Sequence, residues 1–292
     1  MRRFPILGVL LLIPALVFLG MTGCSDKKTP ATKTTGADPK TTNNKGDGKT
    51  VKITAATDGT VAGVVKFDGE APAIKLIVDE IKKNKDADAC LAGQKANIWN
   101  VAEQTWLVDK KGGVANVVIS LVPEAGKEYD IKADLLAKWK MKTDENDQPY
   151  CAYIPHVIAV FADVQPVVFK NTSAVSHSVK IVGGETNGNS EKVIAPKVGA
   201  TEPRTFAYDR RPVPVMCALH GWMNSKVITF KHPYFAVTKA DGSFEIGDVP
   251  VGETLRVFMW HESLDKAIDT GKTVTAAAGK KTTIDGLKIS NK

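Results

Sequence analysis

The distribution of apolar residues divides the chain into three regions. Residues 4–21 form an almost unbroken apolar run behind Arg2 and Arg3. Residues 25–55 contain almost no apolar side chain, and beyond them short apolar runs alternate with Gly, Pro, Asn and Asp. The first region is typical of a targeting segment, the second of a flexible spacer and the third of a folded body.

The folded body is predicted to consist mostly of β-strands. Short runs of β-branched and aromatic residues, each bounded by turn residues, predict strands at 60–67, 114–122, 156–161, 165–171, 177–183, 211–217 and 226–230. Two short helices are predicted, at 74–84 and 133–140. Many short strands and few helices indicate an all-β protein built as β-sandwiches. The length of the body favours two modules over one.

The apolar run near the N-terminus ends in the sequence MTGC at residues 21–24. Small residues directly before a cysteine resemble a bacterial lipoprotein signal peptide, with Cys24 as the lipidated first residue of the mature chain. A plain signal peptide or a signal anchor is the alternative. The resemblance predicts a signal peptide over 1–23, a lipidated flexible tether over 24–55, and an exported protein at the periplasmic membrane or cell surface. Ser25 after the cysteine favours the outer membrane.

Positive charge is concentrated outside the folded body. The whole chain has a formal net charge of +7. Arg2 and Arg3 contribute two of these charges, and residues 25–55, with seven Lys and three Asp, contribute four, which leaves +1 for residues 56–292. A nearly neutral body argues against nucleic acid as a partner. The Lys-rich tether is expected to be solvated or to lie near an anionic membrane surface.

The cysteines predict one disulfide and one free thiol. With Cys24 assigned to lipid, Cys90, Cys151 and Cys217 remain. Thiols of exported proteins tend to pair, because their compartment is oxidising. A Cys90–Cys151 bond is favoured, since it leaves Cys217 free beside a histidine and a methionine. The alternative is a Cys151–Cys217 bond that leaves Cys90 free.

The sequence CALHGWM at residues 217–223 brings three metal-binding side chains into one loop. Cys217 offers a thiol, His220 an imidazole and Met223 a thioether. The loop lies between two predicted strands, so one turn delivers all three groups to the same place. Packing alone does not require these three residue types so close together.

A fourth ligand is predicted from a distant strand. Alternation along HSVKIV places His177 on the same inward face as Val179 and Ile181. A core histidine bonded to a backbone carbonyl is the alternative, but the downstream loop favours a metal ligand. Two imidazoles, a thiolate and a weakly bound thioether form the ligand set of a blue copper site. Zinc is less favoured, because Met is a poor zinc ligand.

At these residues the chain resembles the cupredoxin family. The segments NTSAVSHSVKIV and VMCALHGWM carry the resemblance, and Cys-x2-His-x2-Met is the short-loop spacing of its amicyanin-type members. The resemblance implies a Greek-key β-sandwich over 56–231 that binds one type 1 copper. The ligands that it implies are His177, Cys217, His220 and Met223. It also implies a looser tie between the ligand segments, because Ser178 stands where the family commonly has Asn.

Residues 232–292 predict a second, smaller sandwich. The segment KADGSFEI reads as a hairpin with Asp241 and Gly242 at its turn, and VPVGETLRVFMW supplies another strand. Together these resemble the prealbumin-like sandwich known as the carboxypeptidase-regulatory-like domain. Residues 56–75 are expected to donate a strand to this module, which makes the copper domain an insertion. No peptidase motif accompanies it.

The predicted function is single-electron transfer between redox partner proteins by a membrane-tethered copper protein that is not an enzyme. The chain has five histidines and no His-x-His pair, so the additional copper centres of oxidases are not expected. His220 is expected to be the more exposed imidazole, with Gly221 and Trp222 forming an electron-exit patch. The alternatives are a copper storage, delivery or sensing protein, and an extracellular adhesion protein with a vestigial site.

Overall fold

The computed structural model describes residues 50–197 and 199–291. The predicted signal peptide, Cys24 and most of the tether lie outside these residues. Strands predominate in the described part, and the fold is all-β, as the residue pattern predicts. None of its helices has the length and apolar character needed to cross a bilayer.

The strands of the described residues are β1 (Val51–Ile53), β2 (Gly59–Phe67), β3 (Val118–Pro123), β4 (Lys127–Tyr129), β5 (Asp144–Asn146), β6 (Val157–Phe161), β7 (Val167–Asn171), β8 (His177–Gly183), β9 (Gly188–Ile194), β10 (Gly199–Ala200), β11 (Val213–Met216), β12 (Asn224–Phe230), β13 (Phe235–Val237), β14 (Ser243–Val249), β15 (Thr254–Trp260), β16 (Ile268–Thr275) and β17 (Lys281–Ile289). The helices are α1 (Val78–Ile81), α2 (Ala87–Leu91), α3 (Gly93–Ala96), α4 (Ala133–Met141) and α5 (Gly184–Asn187), with a 3-10 helix at Ile98–Val101.

The two predicted helices have different outcomes. Helix α4 covers the whole of the predicted range 133–140, whereas only the four residues of α1 are helical within 74–84. Helices α2 and α3 follow α1 and were not predicted. They are five and four residues long, too short for an apolar period of 3.6 residues to show in the sequence.

A five-stranded sheet carries the predicted metal ligands. Its order is β6-β12-β11-β8-β9, with β11 antiparallel to both β12 and β8, and β12 parallel to β6. The loop 217–223 connects β11 to β12, and His177 is the first residue of β8. Because β8 runs antiparallel to β11, the start of β8 and the loop meet at the same end of the sheet.

The C-terminal strands form a sandwich with two strands from earlier in the chain. Its sheets have the orders β14-β2-β17 and β13-β3-β15-β16. Strand β2 pairs antiparallel with β14 and parallel with β17, so the region 56–75 donates a strand to this module. Side chains from both sheets, among them Val61, Leu121 and Val257, form one core, which we call the sandwich core.

Two predicted boundaries differ from the structure. Strand β3 was placed in the copper domain, but it pairs with β13 and β15 in the C-terminal sandwich. All of its residues except Ser120 are apolar, on both faces of the strand, so the pattern does not indicate which sheet it joins. The predicted range of the tether, 24–55, also includes β1, which pairs in parallel with β4. The ligand-bearing sheet is thus inserted between β3 and β13.

Strand β6 belongs to two cores at once. Val157, Ala159 and Phe161 pack in the sandwich core. Ile158 and Val160 point the other way, into a second core that also contains the predicted metal ligands Cys217 and Met223. We call this second cluster the site core. The run VIAVF is apolar at every position because neither face of the strand meets solvent. The ligand-bearing sheet is thereby fixed to the sandwich.

Candidate metal centre

The loop between β11 and β12 is closed by its own backbone. The Cys217 N–H donates to the Met223 carbonyl at 3.1 Å, and the Met223 N–H donates to the His220 carbonyl at 2.9 Å. These bonds hold the loop in a tight turn whose three predicted ligands face inward. Cys217, His220 and Met223 are all buried.

Three of the four predicted ligands converge on one point. Nδ1 of His177 lies 3.0 Å from Nδ1 of His220. Sγ of Cys217 lies 3.9 Å from the first nitrogen and 3.7 Å from the second. An ion with bonds of about 2.0–2.3 Å to nitrogen and sulfur keeps its donor atoms roughly 3–4 Å apart. The three side chains therefore have the spacing of a single-ion site.

Met223 lies in the same core as Cys217, directly before β12. Its side chain is fully buried and belongs to an apolar environment. A thioether in such surroundings is a weak and soft donor. The donors that converge are therefore one sulfur that can be anionic and two imidazoles, and the neutral sulfur of Met223 belongs to the same core as Cys217.

The surroundings of Cys217 favour its thiolate. Burial raises the pKa of this thiol, but hydrogen bonding with the side chains of His177 and His220 and with the backbone at Ser178 and Leu219 lowers it by more, and the net result is a pKa of about 5. The Ser178 N–H lies 3.3 Å from the sulfur. The thiolate is the form that binds a metal ion, so the site stabilises the required ionisation state of its thiol.

Ser178 ties the two ligand segments together. Its hydroxyl oxygen accepts the Ala218 N–H at 2.7 Å, next to its own N–H···Sγ contact with Cys217. Its carbonyl accepts a hydrogen bond from the Tyr153 hydroxyl at 2.7 Å, and that hydroxyl lies 3.0 Å from the Met216 carbonyl. The link that the resemblance assigns to an Asn is thus made by a serine with help from Tyr153.

His220 is not the exposed imidazole that its loop position predicts. Its ring is 0% exposed, and its Nε2 lies 3.2 Å from Oδ2 of Asp86. Residues 78–101, which contain α1, α2, α3 and the 3-10 helix and which we call the cap, contact the loop through Asp86 and Asn84. The Asn84 side chain also donates to the Leu219 carbonyl at 3.4 Å. The expectation failed because Asp86 is 134 positions away in sequence, beyond the reach of any local pattern.

A disulfide anchors the cap beside the site. Cys90 is bonded to Cys151, and Cys217 is the free thiol. The sulfurs of Cys90 and Cys151 and a ring nitrogen of His220 lie within 4.8 Å of one another. The indole N–H of Trp222 donates to the Cys151 carbonyl at 3.1 Å. The disulfide therefore packs directly against a candidate metal ligand.

The other three histidines lie outside the cluster. His156 Nδ1 lies 2.9 Å from the Asn224 carbonyl, and its Nε2 lies 2.8 Å from a Glu262 carboxylate oxygen. Glu262 is 106 positions away from His156, so no local pattern in the sequence indicates this contact. Burial lowers the pKa of both His232 and His261 to about 4, so these two rings are neutral aromatic packing groups.

Comparison with known proteins gives partial similarities. No family model and no curated protein matches the chain. The solved amicyanin of Paracoccus versutus is 16% identical over 40% of this chain and 99% of its own, with a TM-score of 0.26. A purple cupredoxin from Nitrosopumilus maritimus is 14% identical over 30% of this chain and 99% of its own, with a TM-score of 0.25.

A third similar structure is a Cu-containing nitrite reductase from Thermus scotoductus. It is 17% identical over 31% of this chain but only 23% of its own length, with a TM-score of 0.24. Similarities at this level do not establish membership of a family. The candidate site is therefore assigned from its own geometry.

Replacing both Cys90 and Cys151 by Ser is expected to lower the free energy of unfolding of the metal-free protein by about 4 kcal/mol. The two cysteines are 61 positions apart, and loss of their bond frees a long loop in the unfolded chain. Denaturant titration without reductant, with Cys217 replaced by Ser in both the variant and the reference protein, measures the difference. Equal midpoints and slopes would show that the bond does not constrain the unfolded chain.

Proposed function

We propose that the protein binds one copper ion at His177, Cys217, His220 and Met223 as a type 1 site, and that it carries single electrons between redox partner proteins. One observation carries the proposal. Two buried Nδ1 atoms 3.0 Å apart face a free thiol whose pKa is lowered to about 5. The cupredoxin resemblance of the sequence around these same residues supports it.

The donor set fits copper better than other ions. Copper, when bound, would supply a one-electron couple, and a set of thiolate, imidazole and thioether suits both of its oxidation states. The chain contributes rigidity. His177 is fixed by β8, Cys217 by the backbone closure of the loop, and Ser178 links the two. Donors that stay in place in both oxidation states keep the cost of rearrangement during electron transfer low.

Electrons would leave the site through Trp222. The cap leaves His220 without exposed surface, but the Trp222 ring lies 5.3 Å from the His220 ring between centroids and is itself only half-buried. With Gly221 it lines a surface cavity of about 370 Å³. A redox partner would therefore dock on the electron-exit patch of Trp222 and Gly221. It would not contact His220 directly.

Attachment to a membrane is a further part of the proposal. The MTGC sequence at residues 21–24 and the Lys-rich, apolar-poor segment after it support an exported lipoprotein held through Cys24, and Ser25 after the cysteine favours the outer membrane. A flexible segment of this length has a root-mean-square reach of roughly 30 Å. This reach would let the folded body meet redox partners near the membrane surface. In the proposed role the protein passes electrons and transforms no substrate.

Copper storage, delivery or sensing without electron traffic is the second candidate function. The cap favours it, because a buried His220 held by Asp86 restricts access to the site. The two functions differ in a measurable property. A carrier exchanges electrons quickly between its oxidised and reduced forms, whereas a storage protein has no need to do so.

Copper loading of the purified full-length protein in detergent is expected to produce an intense visible charge-transfer band from the Cys217 thiolate. Cys217→Ser should abolish the band, because a hydroxyl is not a comparable soft donor. Met223→Leu should keep the band and raise the reduction potential, since the weak axial donor chiefly adjusts it. Absorption spectroscopy and voltammetry measure both effects.

Met216→Leu is the matched control for the methionine variant, because this thioether precedes Cys217 and is partly exposed. It should leave both band and potential unchanged. A copper-loaded wild type without the band, or a protein that selects zinc over copper, would refute the electron-transfer function.

Trp222→Glu is expected to slow electron self-exchange between oxidised and reduced protein by about tenfold or more. Two molecules that meet at this patch would bring like charges together, and each 1.4 kcal/mol of repulsion is worth about tenfold. Line broadening in NMR spectra of mixtures of the two oxidation states measures the rate. The control is Tyr208→Glu. Tyr208 is an exposed aromatic residue that precedes the start of β11, at the end of that strand opposite the 217–223 loop. Equal slowing by both variants would remove Trp222 from the route.

Cys24→Ala is expected to shift the protein from the membrane fraction to the soluble exported fraction, or to leave it unprocessed. The reason is that lipid can no longer be attached to the sulfur. Fractionation of cells followed by immunoblotting measures the distribution, with Ser25→Ala as the control. Membrane association of Cys24→Ala at the wild-type level, after normal processing, would indicate another anchor.

A further inference from the structure

The cap places a carboxylate against the metal centre that the predicted ligand set does not include. Asp86 lies directly before α2, and its Oδ2 is 3.2 Å from Nε2 of His220. Resting on the proposed function, we propose that Asp86 is a positioning residue of the metal centre, which holds the His220 imidazole with Nδ1 directed at the ion.

The geometry defines what Asp86 does to the ring. An ionised carboxylate only accepts hydrogen bonds, so the proton of the shared bond resides on Nε2. Nδ1 of the same ring is then left with its lone pair free to bind an ion. Nδ1 is also the atom that lies 3.7 Å from Sγ of Cys217. Asp86 therefore selects the tautomer of His220 that the site requires.

Asp86 is itself held from both sides. Its N–H donates to the Asn84 side-chain oxygen at 2.9 Å, and its carbonyl accepts the Cys90 N–H at 3.1 Å. Cys90 is fixed in turn by the disulfide to Cys151. The carboxylate thus belongs to a short segment that is bonded covalently to the body next to the site. A side chain presented in this way keeps its direction better than one on a free loop.

The two candidate imidazoles differ in their outer partners. His220 has Asp86, whereas Nε2 of His177 is buried without a hydrogen-bond partner among the described residues. A carboxylate on the outer nitrogen makes the inner nitrogen a stronger donor. Its negative charge also stabilises a doubly charged ion more than a singly charged one. Asp86 is therefore expected to favour binding of divalent metal and to lower the copper reduction potential.

Zinc binding tests the positioning role without any use of copper chemistry. Full-length Asp86→Ala should bind Zn(II) about 10- to 100-fold more weakly than wild type, the usual cost of losing an outer partner of a ligating histidine. Asp86→Glu should restore much of the affinity. Asp88→Ala removes the same charge two positions further on, within α2 and at an exposed side chain, and should bind zinc as the wild type does.

Two further readouts separate positioning from a general effect on stability. In the zinc-loaded wild type, the Nε2 proton of His220 should exchange slowly with solvent, and this protection should be lost in Asp86→Ala while circular dichroism and the disulfide stay unchanged. With copper, Asp86→Ala should weaken Cu(II) binding more than Cu(I) binding and so raise the reduction potential. The rise should be about 59 mV for each tenfold difference between the two losses of affinity.

Equal zinc affinity and equal proton protection in Asp86→Ala, Asp88→Ala and wild type would overturn the positioning role. That result is independent of whether copper-loaded wild type shows a charge-transfer band. A protein without the band, in which Asp86→Ala still weakens zinc binding selectively, would lose the electron-transfer function and keep Asp86 as a positioning residue.

Discussion

The pairing of β8 with β11 is the contact on which the candidate metal centre depends. Met216, the last residue of β11, lies opposite Lys180, so the chain just beyond it runs back along the first residues of β8. His177 and Cys217 are 40 positions apart in sequence, and this register is what brings them together. A slip by one residue would turn His177 to the other face of the sheet. The hydrogen bonds of Ser178 to the loop fix the register where the ligands need it.

A second level of order comes from the cap. The sheet and the loop define where the donor atoms lie. The side of the loop that faces away from these atoms is in contact with the cap. Asp86 and the Cys90–Cys151 disulfide occupy that side, so His220 is held between the ion site and a carboxylate. The result is a buried site with a short aromatic connection to the surface through Trp222. The orientation of the His220 ring is therefore fixed by burial and by contacts on both of its sides.

The sequence predicted those features that can be read from local spacing or from a count of residues. The three groups of the 217–223 loop, the inward face of His177 and the favoured cysteine pair all follow from spacing, alternation and counting. The exposure of His220 was predicted wrongly, and the same limit applies to β3. In both cases the partner lies far away in sequence, and an apolar strand or a small loop does not encode which distant segment covers it.

The position of β6 couples the two halves of the folded body energetically. Its five side chains are shared between the sandwich core and the site core, so neither core can open along this strand without exposing the other. A ligand that binds only the folded state stabilises it by mass action. Occupancy of the metal centre would therefore prolong the lifetime of the sandwich against proteolysis, although no strand of the C-terminal segment supplies a ligand. The abundance of the folded protein would then follow the supply of an ion that binds there.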